Sequence, residues 1–259
     1  MKISNKTTVI LLICLLFVII IFAVFALNFE LNNSGFSYLS KHKILQTNTE
    51  ISEISENVPA PIETVKVDIP QNFELEVPFF SQAPYGLWDA LHEDACEEAS
   101  FLMLNAWHEN KHTVLKDEAD RLISEMVEYQ VVQGYQNSIT LQELSEIAKN
   151  KYGLRGLQVK SVASWQEIKE SIYYNNSPII AGMAGKKLNN PNFRNGGPNY
   201  HMLLIVGYDD KGFITNDPGT RKGEKYYYTN EVLFNALHDY NREDINLGEK
   251  NIMYLASDL

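Results

Sequence analysis

Residues 200–219, YHMLLIVGYDDKGFITNDPG, contain the clearest fold signal in this chain of 259 residues. An apolar run, an Asp-Lys-Gly turn and a second run that ends in Asp-Pro-Gly predict two antiparallel strands joined by a tight hairpin. Further strands are predicted at residues 177–185, 225–229 and 251–256, with a helix near residues 230–240. The C-terminal half of the chain is therefore predicted to form an antiparallel sheet.

The region before this sheet is predicted to be mainly helical. Apolar residues recur at three- and four-residue spacing over residues 95–107, and a second amphipathic run covers residues 114–129. Two Ser/Thr-x-x-Glu capping boxes predict the starts of two more helices. They are Thr140 with Glu143, ahead of a stop at Gly153, and Ser164 with Glu167. A short alternating strand is predicted at residues 74–80. Helices followed by an antiparallel sheet indicate an α+β fold.

Cys96 is the only cysteine outside the first 27 residues, and it opens the first predicted helix. Unpaired N–H groups and the helix dipole favour an anion at this position, which lowers the pKa of a thiol. Glu97 and Glu98 follow directly. Acidic residues also stabilise a helix N-terminus, and successive helical positions point about 100° apart, so neither carboxylate need face the sulfur. Cys96 is thus a candidate nucleophile, and a buried packing role is the alternative.

A nucleophilic cysteine needs a base, and His201 is the best-placed histidine. It follows a loop rich in Gly, Asn and Pro, and it begins an apolar strand, so the sheet fixes it while solvent can reach it. A strand-end histidine that bonds to water is the alternative. We expect His42 and His238 to be solvated, and His92 to lie in a polar loop without an orienting partner.

Asp217, at the end of the second strand of the hairpin, is the candidate that orients the base. With a three-residue loop at residues 210–212, Asp209 would face Phe213 and Asp217 would lie opposite Ile205. His201 and Asp217 would then share a face of the sheet, offset by four residues or about 13 Å. A bulge, for example at Gly207, would have to close that gap.

The segment HENKH, residues 108–112, matches the His-Glu-x-x-His pattern of zinc peptidases. That chemistry needs both histidines on one face of a continuous helix and a third ligand. These residues are mostly polar and lie where the first helix should end, so an exposed connection is the preferred interpretation. We expect no metal and no cofactor.

The sequence of the N-terminal segment predicts that the rest of the chain is exported across a membrane. Residues 9–27 form an uncharged apolar run of 19 residues, long enough to cross a bilayer, and Lys2 and Lys6 precede it. We favour an uncleaved membrane anchor at residues 1–27 over a cleaved signal peptide, because signal-peptide apolar regions are shorter. Polar residues 28–74 are predicted to be a flexible stalk, and residues 75–259 one extracytoplasmic domain. The net charge of −11 without a dense basic cluster argues against a nucleic-acid partner.

Three segments in this order resemble the C39-like cysteine peptidases of the papain-like superfamily: VPFFSQ at residues 77–82, ACEEASFLML at residues 95–104, and HMLLIVGYDDKGFITNDPG at residues 201–219. The resemblance implies a papain-like fold, with a helical half that carries the cysteine and an antiparallel sheet that carries the histidine and the aspartate. It also implies hydrolysis of amide bonds through a thioester acyl-enzyme, with a peptide or protein, such as a cell-wall peptide, as the substrate.

The resemblance further assigns roles to four residues. Cys96 is implied as the nucleophile, His201 as the general base and Asp217 as its orienting residue, while Gln82 and the backbone N–H of Cys96 would form the oxyanion hole. Two features depart from the family pattern: many members have Cys-Gly-Pro where this chain has Cys-Glu-Glu, and Gln82 lies 14 residues before Cys96, an unusually long gap. The alternative to an enzyme is a non-catalytic domain of the same fold that binds peptide or cell-wall material.

Overall fold

A computed structural model describes residues 68–257 of the chain. All of them belong to the second of two compact units, which begins at Lys66. The predicted anchor at residues 1–27 and most of the predicted stalk at residues 28–74 lie outside the described residues, so these two assignments stay predictions. Between residues 68 and 257, no helix combines the length and the apolar character that a membrane span needs.

The described region contains five α-helices and seven strands. The helices are α1 Cys96–His108, α2 Lys116–Gln133, α3 Leu141–Tyr152, α4 Trp165–Asn175 and α5 Asn230–Ala236. The strands are β1 Phe73–Glu74, β2 Leu157–Ser161, β3 Ile179–Ala184, β4 Tyr200–Tyr208, β5 Gly212–Asn216, β6 Tyr226–Thr229 and β7 Asn251–Leu255. Most of these elements lie where the sequence predicts them.

The strands form one antiparallel sheet in the order β2-β7-β3-β4-β5-β6, and β1 pairs with β4. All nine residues of β4 are buried, as are all six of β3, because α1 packs against both strands. The predicted α+β class is confirmed, with the cysteine on the helical side and the histidine on the sheet. This packing brings the N-terminus of α1 to the start of β4.

Local sequence signals explain the helix ends. Thr140 and Glu143 form the predicted reciprocal capping box, and Gly153 ends α3 in a left-handed conformation at φ 72°. Ser164 likewise accepts the backbone N–H of Glu167 at the start of α4. These helix starts and the stop are therefore confirmed.

One strand prediction is wrong and one strand was not predicted. The strand predicted at residues 74–80 is only the pair Phe73–Glu74, and the chain after it runs without regular pairing apart from a bond from Leu75 N–H to Val206 O. The sheet therefore begins two residues before the predicted domain start at residue 75. Sequence analysis also missed β2, whose largely exposed edge position gives no apolar run.

The hairpin between β4 and β5 differs from the prediction in its turn. Phe213 pairs with Tyr208 and not with Asp209, because Asp209 and Gly212 close a tighter loop. A β-bulge then shifts the register between Ile205 and Gly207. The bulge lies next to the position that the sequence argument requires.

Both differences move the end of β5 toward the start of β4. Asn216 pairs with Leu204, so Asp217 follows at a level two residues from His201. Two residues are about 7 Å along a strand, half the predicted offset, and the alternation of side chains keeps both on one face. The predicted bulge and shared face are confirmed, while the predicted pairing of Asp217 with Ile205 is wrong.

Candidate active site

Cys96 is the first residue of α1, and only 6% of its surface is exposed. The N–H groups of a first helical turn have no acceptor within the helix, and no side chain caps this end. Because α1 packs on β4, the sulfur lies against that strand, where the backbone N–H of Met202 donates a hydrogen bond to it. Met202 directly follows His201, so the packing brings the candidate nucleophile beside the candidate base.

His201 and Asp217 are in direct contact. The Nε2 atom of His201 lies 2.8 Å from Oδ1 of Asp217. The two side chains are only 2% and 0% exposed, which protects the pair from water. Since Nε2 faces the carboxylate, Nδ1 is the ring nitrogen left to exchange a proton with a nucleophile. The predicted orienting contact is present in the structure.

Every oxygen of Asp217 has a hydrogen-bond donor. Oδ2 accepts from the hydroxyl of Tyr228 at 2.6 Å and from the amide of Asn190 at 3.3 Å. Oδ1 accepts from the backbone N–H of Gly219 at 3.0 Å in addition to His201. Burial alone would raise the pKa of Asp217, but the charge of His201 and these hydrogen bonds lower it below its usual value. The carboxylate is therefore ionised and holds the His201 ring by a charge-assisted bond.

The faces of the His201 ring are also fixed by packing. The ring of Phe193 meets it edge to face, with centroids 5.2 Å apart. Gly219 approaches so closely that a Cβ atom there would lie 2.8 Å from Cε1 of His201 and 2.9 Å from the Phe193 ring. A glycine is therefore required at position 219 if the imidazole is to keep this orientation.

Cys96, His201 and Gln82 line one cavity of about 770 Å³. Part of its wall comes from the loop before β4, through Asn192, Phe193, Arg194, Asn195, Gly197 and Pro198. The cavity can hold several residues of an extended peptide, since it is in the usual range of small-ligand sites.

The walls of this cavity carry charges of both signs. Arg194, Arg221 and Lys222 come from the loops next to the sheet, and Glu93 and Asp94 from the 3-10 turn before α1. Nη1 of Arg194 lies 3.6 Å from Oε1 of Glu93, an exposed pair that connects the two walls. A zwitterionic segment such as a peptide fits this distribution better than a ligand of a single charge.

The sequence left open whether the two glutamates face the sulfur, and in the structure Glu97 does. The thiol of Cys96 donates to Oε2 of Glu97 at 2.9 Å, and Glu97 is fully buried. The Cβ directions diverge, but the flexible glutamate side chain reaches back to the sulfur, and its other oxygen accepts the backbone N–H of Ile139 at 3.4 Å. Burial, then the charge and hydrogen bond of Glu97, and then the charge of Glu98 raise the pKa of Cys96 well above its usual value.

Glu98 is buried as well, so neither glutamate is a solvated cap of the helix. Burial, and then the charge of Glu97, raise the pKa of Glu98 well above its usual range. Oε2 of Glu98 has no hydrogen-bond partner within residues 68–257. The helix N-terminus therefore holds two buried carboxyl groups and a thiol that keeps its proton.

Gln82 lies at the cavity, but its amide is already engaged. Nε2 donates to the carbonyl of His92 at 2.8 Å and to that of Glu93 at 3.1 Å, which uses both N–H groups. Its Oε1 has no partner in the described part of the chain. An oxyanion-hole role for Gln82 requires the exchange of one of these bonds and stays a prediction, whereas the backbone N–H of Cys96 has no acceptor within its helix.

Two expectations about the other histidines are wrong. His92 is buried, and its Nδ1 lies 2.8 Å from Asp89, so it does have an orienting partner, outside the cavity. His238 is buried too: its Nδ1 contacts the carbonyl of Gly248 at 2.9 Å, and burial lowers its pKa. His42 lies outside the described residues.

The HENKH segment lacks the helical geometry that a zinc site needs. α1 ends at His108, and Asn110 adopts a left-handed conformation with φ 57°. His108 and His112 therefore do not lie on one face of a continuous helix, and the exposed-connection interpretation is confirmed. No group of three or more candidate metal ligands occurs in residues 68–257.

Sequence reasoning did not identify four residues that shape the site. Tyr228 could have been found, because a period of two in residues 226–229 directs it inward together with Tyr226. Asn190 and Phe193 come from an irregular loop that gives no periodic signal. Glu97 was noticed, but its orientation toward the sulfur was left open.

Three comparisons with known proteins bear on this arrangement. The model of the Peptidase_C39 like family matches residues 74–243. Among solved structures, a putative C39-like peptidase from Bacillus anthracis is 17% identical with a TM-score of 0.48, covering 73% of this chain and 100% of its own. The peptidase domain of Streptococcus ComA, a bi-functional ABC transporter involved in a quorum sensing pathway, is 14% identical with a TM-score of 0.33, covering 64% and 93%. No curated protein matches the chain.

Proposed function

We propose, since this chain belongs to the Peptidase_C39 like family, that it is a cysteine peptidase in which Cys96, His201 and Asp217 hydrolyse peptide bonds. The observation that carries the assignment is the buried 2.8 Å contact between His201 and Asp217. His201 lines the same cavity as Cys96. A histidine that a carboxylate orients at the edge of a substrate-sized cavity, beside a thiol at a helix N-terminus, is the arrangement that nucleophilic cysteine catalysis requires.

The geometry supports the following reaction. Nδ1 of His201 takes the proton of Cys96, and the thiolate attacks the carbonyl carbon of the scissile bond. The C=O electron pair moves to oxygen, where backbone N–H groups at the start of α1 can stabilise the charge. The imidazolium then protonates the leaving amine, which gives the thioester. Water, deprotonated by the same nitrogen, releases the acid and restores the thiol.

A variant of the nucleophile tests this function. Cys96→Ala should abolish hydrolysis of a peptide library and remove labelling of the Cys96 peptide by a thiol probe, because no other described thiol exists. Cys96→Ser, which keeps a weaker nucleophile of similar size, should fold like the parent and lose nearly all activity. Robust hydrolysis by Cys96→Ala would overturn the assignment.

A non-catalytic binding role is the second candidate, and the raised pKa of Cys96 favours it. In that case the cavity holds a peptide without cleaving it. A binding domain would retain peptide affinity in Cys96→Ala and show no hydrolysis in the parent chain, whereas a peptidase turns the same peptide over.

The cellular location is also part of this proposal. The apolar run at residues 9–27, with Lys2 and Lys6 before it, supports a membrane tether that holds the peptidase domain on the extracytoplasmic side. The substrate would then be an exported or cell-wall peptide. Protease protection of residues 68–257 in intact cells would contradict this topology, and degradation from outside would agree with it.

A further inference from the structure

The buried carboxyl of Glu97 is the chemically active group at the site that the triad mechanism does not use. We propose that Glu97 is a further catalytic residue, which holds the proton on Cys96 when it is ionised and donates a hydrogen bond to the Cys96 thiolate when it is protonated. This inference rests on the proposed function in one respect, that the thiolate of Cys96 is the nucleophile.

The position of Glu97 leaves its carboxyl few alternatives. One oxygen is 2.9 Å from the sulfur of Cys96, and the other accepts the backbone N–H of Ile139. The residue is 0% exposed, so bulk water does not compete for the carboxyl in this arrangement. A buried carboxyl with one oxygen fixed by a backbone donor presents the other oxygen to the sulfur in both of its protonation states.

The groups around Glu97 come from several elements. On its own helix it faces Cys96 and the charge of Glu98, and from β4 it faces His201 and Tyr200. Farther out, the charge of Asp94 contributes to the raised pKa of Glu98, and the charge of Asp239 contributes to the raised pKa of Tyr200. Only His201 in this set can carry a positive charge, so the proton state of Glu97 depends on acidic neighbours and on this one base.

These surroundings place the titration of Glu97 close to neutrality. Burial raises its pKa, while hydrogen bonds with Cys96 and Ile139 and the charge of His201 oppose that effect, and the result is about 7. Both protonation states are then populated at neutral pH. An ordinary exposed glutamate, with a pKa near 4.3, would be ionised throughout this range.

The two states differ in the cost of making the nucleophile. With Glu97 ionised, transfer of the thiol proton to Nδ1 of His201 leaves two negative charges in contact. With Glu97 protonated, the same transfer leaves a thiolate that accepts the O–H of Glu97. In both cases one proton moves from sulfur to nitrogen and none is taken up. The thiolate therefore forms more easily when Glu97 carries its proton.

The variant Glu97→Gln imitates the protonated state, because its amide N–H can donate to the sulfur while its oxygen accepts from Ile139. The experiment follows the rate at which iodoacetamide alkylates the Cys96 peptide, by mass spectrometry on the full chain, from pH 5.5 to 8.5. The ratio of the variant rate to the parent rate should rise from near one at pH 5.5 to about tenfold at pH 8.5, one pKa unit of coupling.

The matched control is Glu98→Gln, the same change at the neighbouring buried carboxyl group, for which no hydrogen bond with the sulfur is found. Its rate ratio should rise by a smaller factor than that of Glu97→Gln. A ratio for Glu97→Gln that is independent of pH, or a Glu97→Gln that reacts more slowly than the parent at pH 8.5, would overturn the proposal, as would an equal rise in Glu98→Gln.

A second measurement needs no substitution of Glu97. Carbon NMR of the side-chain carboxyl should show its pKa rising when Cys96 is alkylated, because the sulfur can then no longer donate to it. An unchanged carboxyl pKa would contradict the proposal. Both readouts are independent of peptide cleavage, so an absence of hydrolysis would refute the proposed peptidase function and leave the Glu97–Cys96 coupling to be judged by the alkylation rates alone.

Discussion

The polar groups on the two sides of the cavity differ in how completely they are hydrogen-bonded. On the sheet side, Asp217 has a donor for each oxygen and holds Nε2 of His201 at 2.8 Å. On the helix side, Cys96 keeps its proton, Glu97 and Glu98 are buried carboxyl groups, and an oxygen of Glu98 has no partner in the described region. The sheet side is a hydrogen-bond network in which both oxygens of the carboxylate have donors. The helix side places acidic groups that repel one another's negative charge in contact.

In the proposed mechanism, the site therefore combines an oriented base with a nucleophile that keeps its proton. The ionised Asp217 holds and orients the His201 ring, whereas burial, Glu97 and Glu98 raise the pKa of the Cys96 thiol and so oppose a thiolate. The state of the helix side, and not the orientation of the base, therefore controls how much reactive ion pair is present. Substitutions on the sheet side should remove catalysis, and those on the helix side should shift its dependence on pH.

The largest loss of activity is expected when the negative charge of Asp217, on the sheet side, is removed. Asp217→Asn keeps the shape of the side chain but removes the charge that holds the His201 tautomer, so kcat should fall by roughly 10²- to 10⁴-fold. Steady-state hydrolysis of a fluorogenic peptide measures this. The control is Asp210→Asn, the same chemical change at an exposed turn residue outside the cavity. A kcat within threefold of the parent would show that the sheet-side network is structural.

A smaller loss is expected from the glycine that packs on the base. Gly219→Ala would place a Cβ atom 2.8 Å from Cε1 of His201, which must rotate the ring or shift the loop. Displacement of a catalytic group costs up to about 100-fold, so we expect kcat to fall by about ten- to 100-fold with a smaller change in KM.

The control for this change is Gly134→Ala. That position has no atom within 4 Å of the added Cβ but a φ of +81°, so it should lower stability without lowering kcat. If both variants lose activity in proportion to their melting temperatures, the crowding argument for Gly219 is wrong.

Loss of a single donor to Asp217 should have a moderate effect. Tyr228→Phe removes the 2.6 Å hydrogen bond to Oδ2, which should lower the free energy of unfolding by about 1.5–3 kcal/mol, the usual range for a bond to a charged group. Denaturant unfolding measures the change. Tyr227→Phe, which removes an exposed hydroxyl bond to Asp209, is the matched control and should change stability much less. Equal losses in the two variants would argue against a special role for the buried network.

The last prediction concerns how stability depends on pH on the helix side, where no loss of activity is required. The pKa of Glu97 is raised from 4.5 to about 7 in the folded state, so the folded chain binds this proton more tightly than the unfolded chain. The free energy of unfolding should therefore decrease as the pH rises from about 4.5 to about 7, and Glu97→Gln should reduce that slope. If the free energy of unfolding changes with pH equally in parent and variant, a group other than Glu97 is responsible for the proton uptake.

The sequence predicts the frame of this site well because each main signal is local. The Thr140 capping box, the hairpin at residues 200–219 and the shared face of His201 and Asp217 follow from short-range periodicity, and the structure contains all three. The required bulge was inferred from a distance conflict. These features depend on residues near one another in the chain.

The remaining features depend on long-range packing that periodicity does not encode. Glu97 faces the sulfur because the start of α1 is closed in by β4 and by Ile139, 42 residues away. The amide of Gln82 is engaged because the turn at residues 92–94 folds against it. In both cases burial removes the solvent that a side chain at an open helix end would face.

The most direct test of the central claim compares Cys96 alkylation in the parent chain and in His201→Ala at pH 7. If the helix-side thiol and the sheet-side base form one catalytic unit, loss of the imidazole should slow iodoacetamide labelling of the Cys96 peptide by about tenfold or more, because no base is then left at position 201 to take the proton of the thiol. Equal labelling rates in the two proteins would contradict the account, since the two sides of the cavity would then act independently.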